Sequence, residues 1–412
     1  MVDDQITDGY WIQAVDIDGD GVPDLVTSGL GSGEVRWYQN PGWRQRLIHR
    51  FKRPVSMDQG DIAGDGRCDF VICHDYARTM FEATPADGSI SWLRNPGVYE
   101  GDEPWEARYI GQLGSTHRLR LGHFTAANRT QVVAAPVVGP KDGRAALHEP
   151  IRVMLYDRPD DVLGAESWGA EVADDSSFRV IHAVAVGRYG SPSTGETDAV
   201  LFASEEGLSW FGIDETGAWR IHRLGDGELG MEQATGYKGS ANFAIGRIGA
   251  DPYAYIASVE PFHGATLAIY LPTGDGDLTQ RTWQRTVIDT YGEPNEAGEG
   301  PAHHVVCADF DGDGDDEFLI ALRGPMPTQG VFLYKATEPG SSQFEKTRVS
   351  EPSAARIAVA DFDGDGRLDF ATIGYHVEGY FECDDPQVAV FLNRYGDPVA
   401  GQPAIPIATL GG

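Results

Sequence analysis

Short apolar runs alternate along this chain with tight clusters of aspartate and glycine, and four of the clusters are alike. They are DIDGDGVPDLV from Asp16, DIAGDGRCDFVI from Asp61, DFDGDGDDEFLIA from Asp309 and DFDGDGRLDFATI from Asp361. Each has an apolar run on either side, which predicts a strand, a polar loop and a second strand. Keeping the apolar pattern and dropping the acids brings out three more copies between Asp61 and Asp309. THRLRLGHFTAANRTQVVAAPV has His123 at the anchor, VIHAVAVGRYGSPSTGETDAVLFA has Arg188, and SANFAIGRIGADPYAYIASV has Arg247. The anchors are then 16, 61, 123, 188, 247, 309 and 361, seven copies spaced 45 to 65 residues apart, which is the signature of a repeat architecture. Third and fourth strand-like runs follow, such as EVRWYQN with RLIHRF and GVFLYKA with FEKTRVS.

Four short strands per copy, with almost no helical periodicity, predict an all-β fold. The expected architecture is a seven-bladed β-propeller with four-stranded antiparallel blades, formed by residues 1–412 as one domain. Innermost strands are expected near 11–17, 56–62, 117–124, 181–188, 241–248, 303–309 and 355–361. The seventh copy shows no clear outer strand, and either AIPIATL near the C-terminus or DDQI near the N-terminus can supply it.

Composition changes this picture in two respects. A 41% hydrophobic content with 10% aromatics supports a sizeable core and excludes disorder. A formal net charge of −31 excludes nucleic acid as a partner and disfavours an anionic membrane surface. No apolar run is long enough for a membrane helix, and the opening MVDDQITDGYW has no leader pattern. Cys68, Cys73, Cys307 and Cys383 show no framework spacing and read as buried thiols, which suits the cytoplasm. The sequence leaves a homodimer open.

The acidic clusters have a chemistry of their own. Asp16, Asp18, Asp20 and Asp24 fit D-x-D-x-D-G-x-x-D, as do Asp309, Asp311, Asp313 and Glu317, and Asp361, Asp363, Asp365 and Asp369. Oxygen donors at that spacing suit a hard cation, calcium or magnesium. In the second copy Ala63 replaces one acid, which weakens the site. Because the loop recurs from blade to blade, it reads as a staple between strands and not as a reaction centre.

Chemistry is then expected on the opposite face, where the innermost strands begin around the axis. Six residues ahead of the seven anchors stand Tyr10, Val55, His117, His182, Ala241, His303 and Ala355. Three histidines in seven places is far above chance for a chain with 11, and SVEPFHGA brings His263 to the same face. These four imidazoles predict a transition-metal site, most readily zinc. Glu260, His263, Tyr375 and His376 are candidates for proton transfer, and Tyr10, Trp11, His74, Asp75, Tyr76, Glu206 and Tyr380 for substrate binding. His123 reads as structural, and His49, His148 and His222 as surface residues. No nucleophile elbow, Walker loop or dinucleotide fingerprint is present.

The acidic repeats resemble the FG-GAP/VCBS repeats of integrin-like propellers. A closer likeness lies in DGYW at 8–11, SWLRNPG at 91–97, HRLRLGHFT at 117–125, EPFHG at 260–264, HHVVCADFDGDGDDEFL at 303–319 and GYHVEGYFE at 374–382. Together, and in order, these look like the propeller domain of the aldos-2-ulose dehydratase (1,5-anhydro-D-fructose dehydratase) family, without the cupin domains of its fungal members. The resemblance implies a metal-dependent carbon–oxygen lyase acting on a keto-sugar, by loss of the proton α to the ketone and of the β-hydroxyl. Carried over by position, its histidines are His117, His182, His263 and His303. Two alternatives stay open: a lyase that cleaves 3-keto-glycosides by the same elimination, and a non-catalytic sugar-binding or adhesion propeller.

Overall fold

The computed structural model describes residues 1–101, 103–141, 143–189, 196–229, 237–293, 299–378 and 380–396. Seven antiparallel sheets follow one another in chain order, six of them four-stranded with each strand beside the next in sequence. Their innermost strands are Trp11–Val15, Ser56–Gly60, Thr116–Gly122, Ala183–Gly187, Asn242–Ile248, Ala302–Ala308 and Arg356–Ala360. Each lies within two residues of its expected place. Innermost strands of blades 2 and 3, 3 and 4, 5 and 6, and 6 and 7 pack on one another, and Trp11–Val15 packs on Arg356–Ala360, so the ring closes between the first blade and the last. The chain forms a seven-bladed β-propeller.

Burial explains which runs became which strands. The second strand of each blade is covered on both faces, and Asp24–Ser28, Ala199–Ser204 and Glu317–Leu322 are buried throughout. Outer strands face solvent on one side and are mixed, as in Thr282–Thr290. The seventh sheet holds Arg356–Ala360, Asp369–Ile373 and Val388–Phe391. Its fourth position is taken by the N-terminal segment: Asp3 pairs antiparallel with Val388, and Val388 N–H donates to Asp3 O at 2.8 Å. Blade 1 holds that segment down, with the Tyr38 hydroxyl and Gln45 amide both donating to Asp3 Oδ2 at 2.8 Å. The alternative closing run, AIPIATL, lies outside the described residues.

The acidic loops are organised first by backbone donors. Asp16 accepts the N–H groups of Gly19, Asp20 and Gly21 at 2.8, 3.2 and 2.9 Å. Gly19 and Gly21 sit at φ +76° and +87°, where a side chain is strained. Asp24 accepts Ile17 N–H and Asn40 N–H at 3.2 and 2.8 Å. Asn40 then reaches into the neighbouring blade, its Nδ2 donating to Phe362 O at 2.7 Å. Asn95 does the same to Ile17 O and Asn393 to Phe310 O, and Arg158 Nε donates to Ile62 O. Blades 6, 7, 1, 2 and 3 are thereby linked in series by one side chain each, from the end of the third strand to the preceding blade's loop.

Candidate active site

The seven strand starts ring the axis on the face opposite the acidic loops. Tyr10, His117, His182 and His303 occupy four of them, and all four are buried. His263 arrives from the turn after Asp251–Glu260 and takes φ +46°. The residue after it must be glycine, because a Cβ on Gly264 would lie 2.0 Å from Glu260 O. The Phe262 ring stacks on His263 with centroids 4.0 Å apart and meets His182 edge-on at 5.0 Å. The EPFHG turn thus seats one imidazole against another.

Hydrogen bonds fix how these rings present their nitrogens. His182 Nδ1 lies 3.0 Å from Ala241 O and His303 Nδ1 2.6 Å from Ala355 O. Both therefore carry the proton on Nδ1 and leave Nε2 as an acceptor. His263 Nδ1 faces Glu299 Oε2 at 2.5 Å and the Tyr380 hydroxyl at 3.0 Å, which places its proton on the same side. Its Nε2 then lies 3.1 Å from His182 Nε2, lone pair against lone pair. His303 Nε2 is buried and has no hydrogen-bond partner. The three rings bring one ligating nitrogen each to within 4.8 Å of the others. Converging lone pairs repel unless a cation lies between them, and an all-nitrogen donor set fits a borderline transition metal such as zinc.

His117 stands beside this group. Its Nε2 takes the Tyr10 hydroxyl at 2.7 Å and Arg118 Nη1 at 3.2 Å. Arg118 Nη2 also reaches His182 Nε2 at 3.2 Å, so it is the donor that a metal would displace. Burial first, then the nearby Arg118 or Arg323 guanidinium, holds His117, His182 and His303 well below 6.5. The rings are neutral at neutral pH, as ligation requires.

Glu299 was not among the expected residues. It is 7% exposed and is bound by buried Arg323 Nη2 at 2.9 Å as well as by His263. Burial disfavours its carboxylate, but His263 and Arg323 outweigh this and hold it down to about 2. Burial lowers His263 as well, with Glu299 opposing, and the neutral ring donating through Nδ1 satisfies both. An acid four residues ahead of His303 was the only signal in the sequence. Above the imidazoles opens a cleft of about 210 Å³, with Tyr10, Tyr76, His117, Glu299, Tyr375 and Tyr380 among its lining.

Residues 87–273, which contain His117, His182 and His263, match the family model described as aldos-2-ulose dehydratase, beta-propeller domain. Residues 16–72 and 309–372 match an FG-GAP-like repeat. The chain is 36% identical over 413 aligned positions to the aldos-2-ulose dehydratase of Phanerodontia chrysosporium, covering 94% of this chain and 44% of that protein. Over nearly its whole length the chain is similar to the β-propeller part of an aldos-2-ulose dehydratase. The chain spans less than half the length of this curated relative. Among solved structures, BBS1N in complex with ARL6DN, soaked with lead or with mercury, superposes with a TM-score of 0.53 at 10% identity. The lead-soaked structure covers 95% of this chain and 94% of its own, and the mercury-soaked one 94% and 93%. That likeness shows the propeller fold alone.

In this aldos-2-ulose dehydratase-type propeller, several expected site residues face elsewhere. Glu260 is fully buried, but its carboxylate is bound by Arg285 Nε and the Tyr270 hydroxyl, each at 2.7 Å, away from the imidazoles. His376 Nδ1 lies 3.0 Å from Cys383 O, and its backbone pairs with Gly9. His74 stacks on Phe51 and contacts Ser91 and Asp75. Glu206 accepts Arg179 N–H and closes its own turn. Trp11 does not stand at the rim: it is 1% exposed, with three arginines over its ring. His148 is exposed, while His49 and His222 are half-buried. All four cysteines are free.

The acidic loops are not equivalent either. In blade 6, Lys335 Nζ contacts Asp311, Asp313 and Glu317. In blade 7, Arg394 contacts Asp363 and Asp365 at 2.6 and 2.9 Å. In blade 1, among the described residues, the side chain on Asp18 is the neutral Gln39 amide, on Oδ2 at 2.6 Å, while Asp18 Oδ1 is buried with no partner. Burial and Asp18 lift Asp24 to about 6 there, against the pull of its backbone donors. Asp16, Asp18 and Asp24 thus form a set that fits a hard cation best.

Proposed function

We propose that the cleft is the active site of a metal-dependent carbon–oxygen lyase that eliminates water from a keto-sugar, such as 1,5-anhydro-D-fructose or an aldos-2-ulose. One observation carries this reading: His182, His263 and His303 converge on a single point among buried side chains on the axis. The relationship to a protein named aldos-2-ulose dehydratase supports the choice of substrate class. His182, His263 and His303 would hold zinc or another divalent transition metal, which would supply Lewis acidity toward the substrate carbonyl. The acidic loop of blade 1 would hold calcium or magnesium as a structural ion.

The chain's own residues handle the protons. Tyr10 and His117, 2.7 Å apart, form a pair able to accept the proton α to the ketone, because His117 is neutral at neutral pH. The electron pair of that carbon–hydrogen bond becomes the new double bond as the β-carbon–oxygen bond breaks. The departing hydroxyl must be protonated to leave as water, and the Tyr380 hydroxyl, beside His263 and Glu299, faces the cleft to do so. Tyr375 meets the His303 ring edge-on at 4.9 Å and closes the floor. Glu299 positions His263 through Nδ1, the usual arrangement behind a ligating imidazole.

A second reading has an observation in its favour. The cleft has an apolar part to its lining, Leu30, Met80, Phe81, Val137, Phe262 and Val377, beside Arg53, Arg78 and Arg144. Such apolar surface suits an aglycone, so a 3-keto-glycoside losing an alcohol in place of water is the alternative substrate. Incubating zinc-loaded protein with 1,5-anhydro-D-fructose, and separately with an aryl 3-keto-glucoside, tests both. Growth of an enone absorbance with the first supports the dehydratase. Growth with the second alone favours the glycoside lyase, and none with either overturns the lyase reading.

A further inference from the structure

Just below the imidazoles, the axis carries more buried positive charge than it can balance. Arg118 and Arg120 come from the innermost strand of blade 3, and Arg356 from that of blade 7. Their guanidinium carbons lie 5.6, 5.4 and 3.9 Å from the centre of the Trp11 ring in blade 1. Three cations from three sides therefore share one indole, which offsets only part of their mutual repulsion. Arg118 is spent on the chain itself: Nε donates to His182 O at 2.6 Å and Nη1 to His117 O at 2.8 Å. Arg120 Nη1 donates to Leu119 O, and Asp58 is the carboxylate that acts on it.

Arg356 is different. It is 4% exposed, and its Nε is buried without a partner. Among the described residues no hydrogen bond from its guanidinium is found; its neighbours are the Trp11 ring, the other two arginines, Tyr10 and Tyr375, and the imidazoles of His117, His303 and His304. Trp11 Nε1, a second donor on the same spot, is also buried and unpartnered. A buried guanidinium is otherwise almost always paired, because stripping it of water without a counter-charge is prohibitive. Water can satisfy its N–H groups but leaves the charge. Among the described residues one acid, Asp58, acts on this cluster, and a single negative charge, its Oδ2 also accepting Leu121 N–H at 2.8 Å, leaves three arginines unbalanced.

We propose that a small inorganic anion, a halide or phosphate, binds on the propeller axis against Arg356 and the Trp11 indole N–H, beneath the imidazole group. It neutralises the arginine cluster, and its binding is independent of any reaction above it. The class is small because Arg356 is 4% exposed and Trp11 1%, and inorganic because Arg356 Nε and Trp11 Nε1, the unpartnered groups of the two residues, are both donors.

The test is thermal unfolding of the purified, full chain in chloride, bromide, phosphate or bulky gluconate at one ionic strength. An anion at 100 times its Kd should raise Tm by about 3 °C for a chain of this size. The rise should saturate, and it should vanish in Arg356→Met, whereas general salt effects on the surface survive the substitution. Chloride and bromide acting without phosphate would identify a halide site; phosphate alone would identify an oxyanion site. Should Arg356→Met not fold, Arg356→Lys and a bromide soak of wild-type crystals replace it, with anomalous density expected beside the residue 356 side chain in the wild type. A wild-type Tm that follows ionic strength alone, with no saturable step and no bromide density, overturns the proposal.

Discussion

Replacing Glu299 by glutamine removes one buried negative charge and keeps the shape of the side chain. The carboxylate is held from an ordinary 4.5 down to about 2 by His263 and Arg323, which is worth at most about 3 kcal/mol at about 1.36 kcal/mol per unit and less while the His263 ring is neutral. The sign follows from the depression. The contribution is complete above pH 4.5, where the unfolded carboxylate is also ionised, and is lost as the pH falls from there toward about 2. Urea unfolding followed by tryptophan fluorescence should therefore find the Glu299→Gln protein weaker at neutral pH, by up to about 3 kcal/mol. Near pH 3.5 the gap should close by about 1 kcal/mol, because the wild type alone loses this term. Glutamine can still accept from His263 Nδ1 but leaves Arg323, 0% exposed, without its counter-charge. Zinc affinity should drop about 10- to 100-fold, as for other partners that orient a ligating imidazole. Equal stabilities, or a gap that does not change with pH, would refute the assignment of Glu299 as the charged anchor of His263 and Arg323.

Further outcomes follow from particular contacts. Asn40→Ala loses both Nδ2 bonds, to Pro23 O and Phe362 O, and should cost about 2 kcal/mol by denaturant titration while leaving turnover of the folded protein unchanged. Lys335→Met strips the ammonium from Asp311, Asp313 and Glu317; its Tm should fall in chelator and recover with calcium, and a Tm indifferent to calcium speaks against the loop as a cation site. His117, His182 and His303 lie well below 6.5 when folded, so the unfolded chain binds more protons below about pH 6.5. Metal-free protein should accordingly lose stability as pH falls below that value, by up to about 1.4 kcal/mol per pH unit for each ring, and Ala variants should lose less. Glu260→Gln should lower stability through Arg285 and spare the rate; a collapse in rate at normal stability would return Glu260 to the reaction.

The blades were legible because an inner strand, a turn of fixed chemistry and a doubly buried second strand impose a pattern that survives even where His123, Arg188 or Arg247 replaces the first acid. The imidazole ring was legible for the same reason, since a fixed offset from each anchor marks one level of the axis. Side-chain direction was not. Glu260 and His263 belong to one turn, yet the backbone sends the first toward Arg285 and the second toward the axis. His74 and Asp75 reach the correct face and then pair with each other, and Trp11 follows Tyr10 but points down the axis. Glu299 escaped notice because a lone acid outside any motif has no signature until Arg323, 24 residues away, closes on it. The asparagine links were in plain view in YQN, LRN and FLN, but their partners lie in other blades.

The most direct measurement pairs metal content with turnover on the same samples of wild-type, His182→Ala and His303→Ala protein, each checked for folding by its unfolding transition. The wild type should bind one transition-metal equivalent on the axis and convert a keto-sugar to an enone, with both lost on chelation and restored by zinc. Each variant should fold, bind little of that metal and give almost no enone. Full turnover in either variant, or turnover in wild-type protein stripped of the metal, would contradict the assignment of this site.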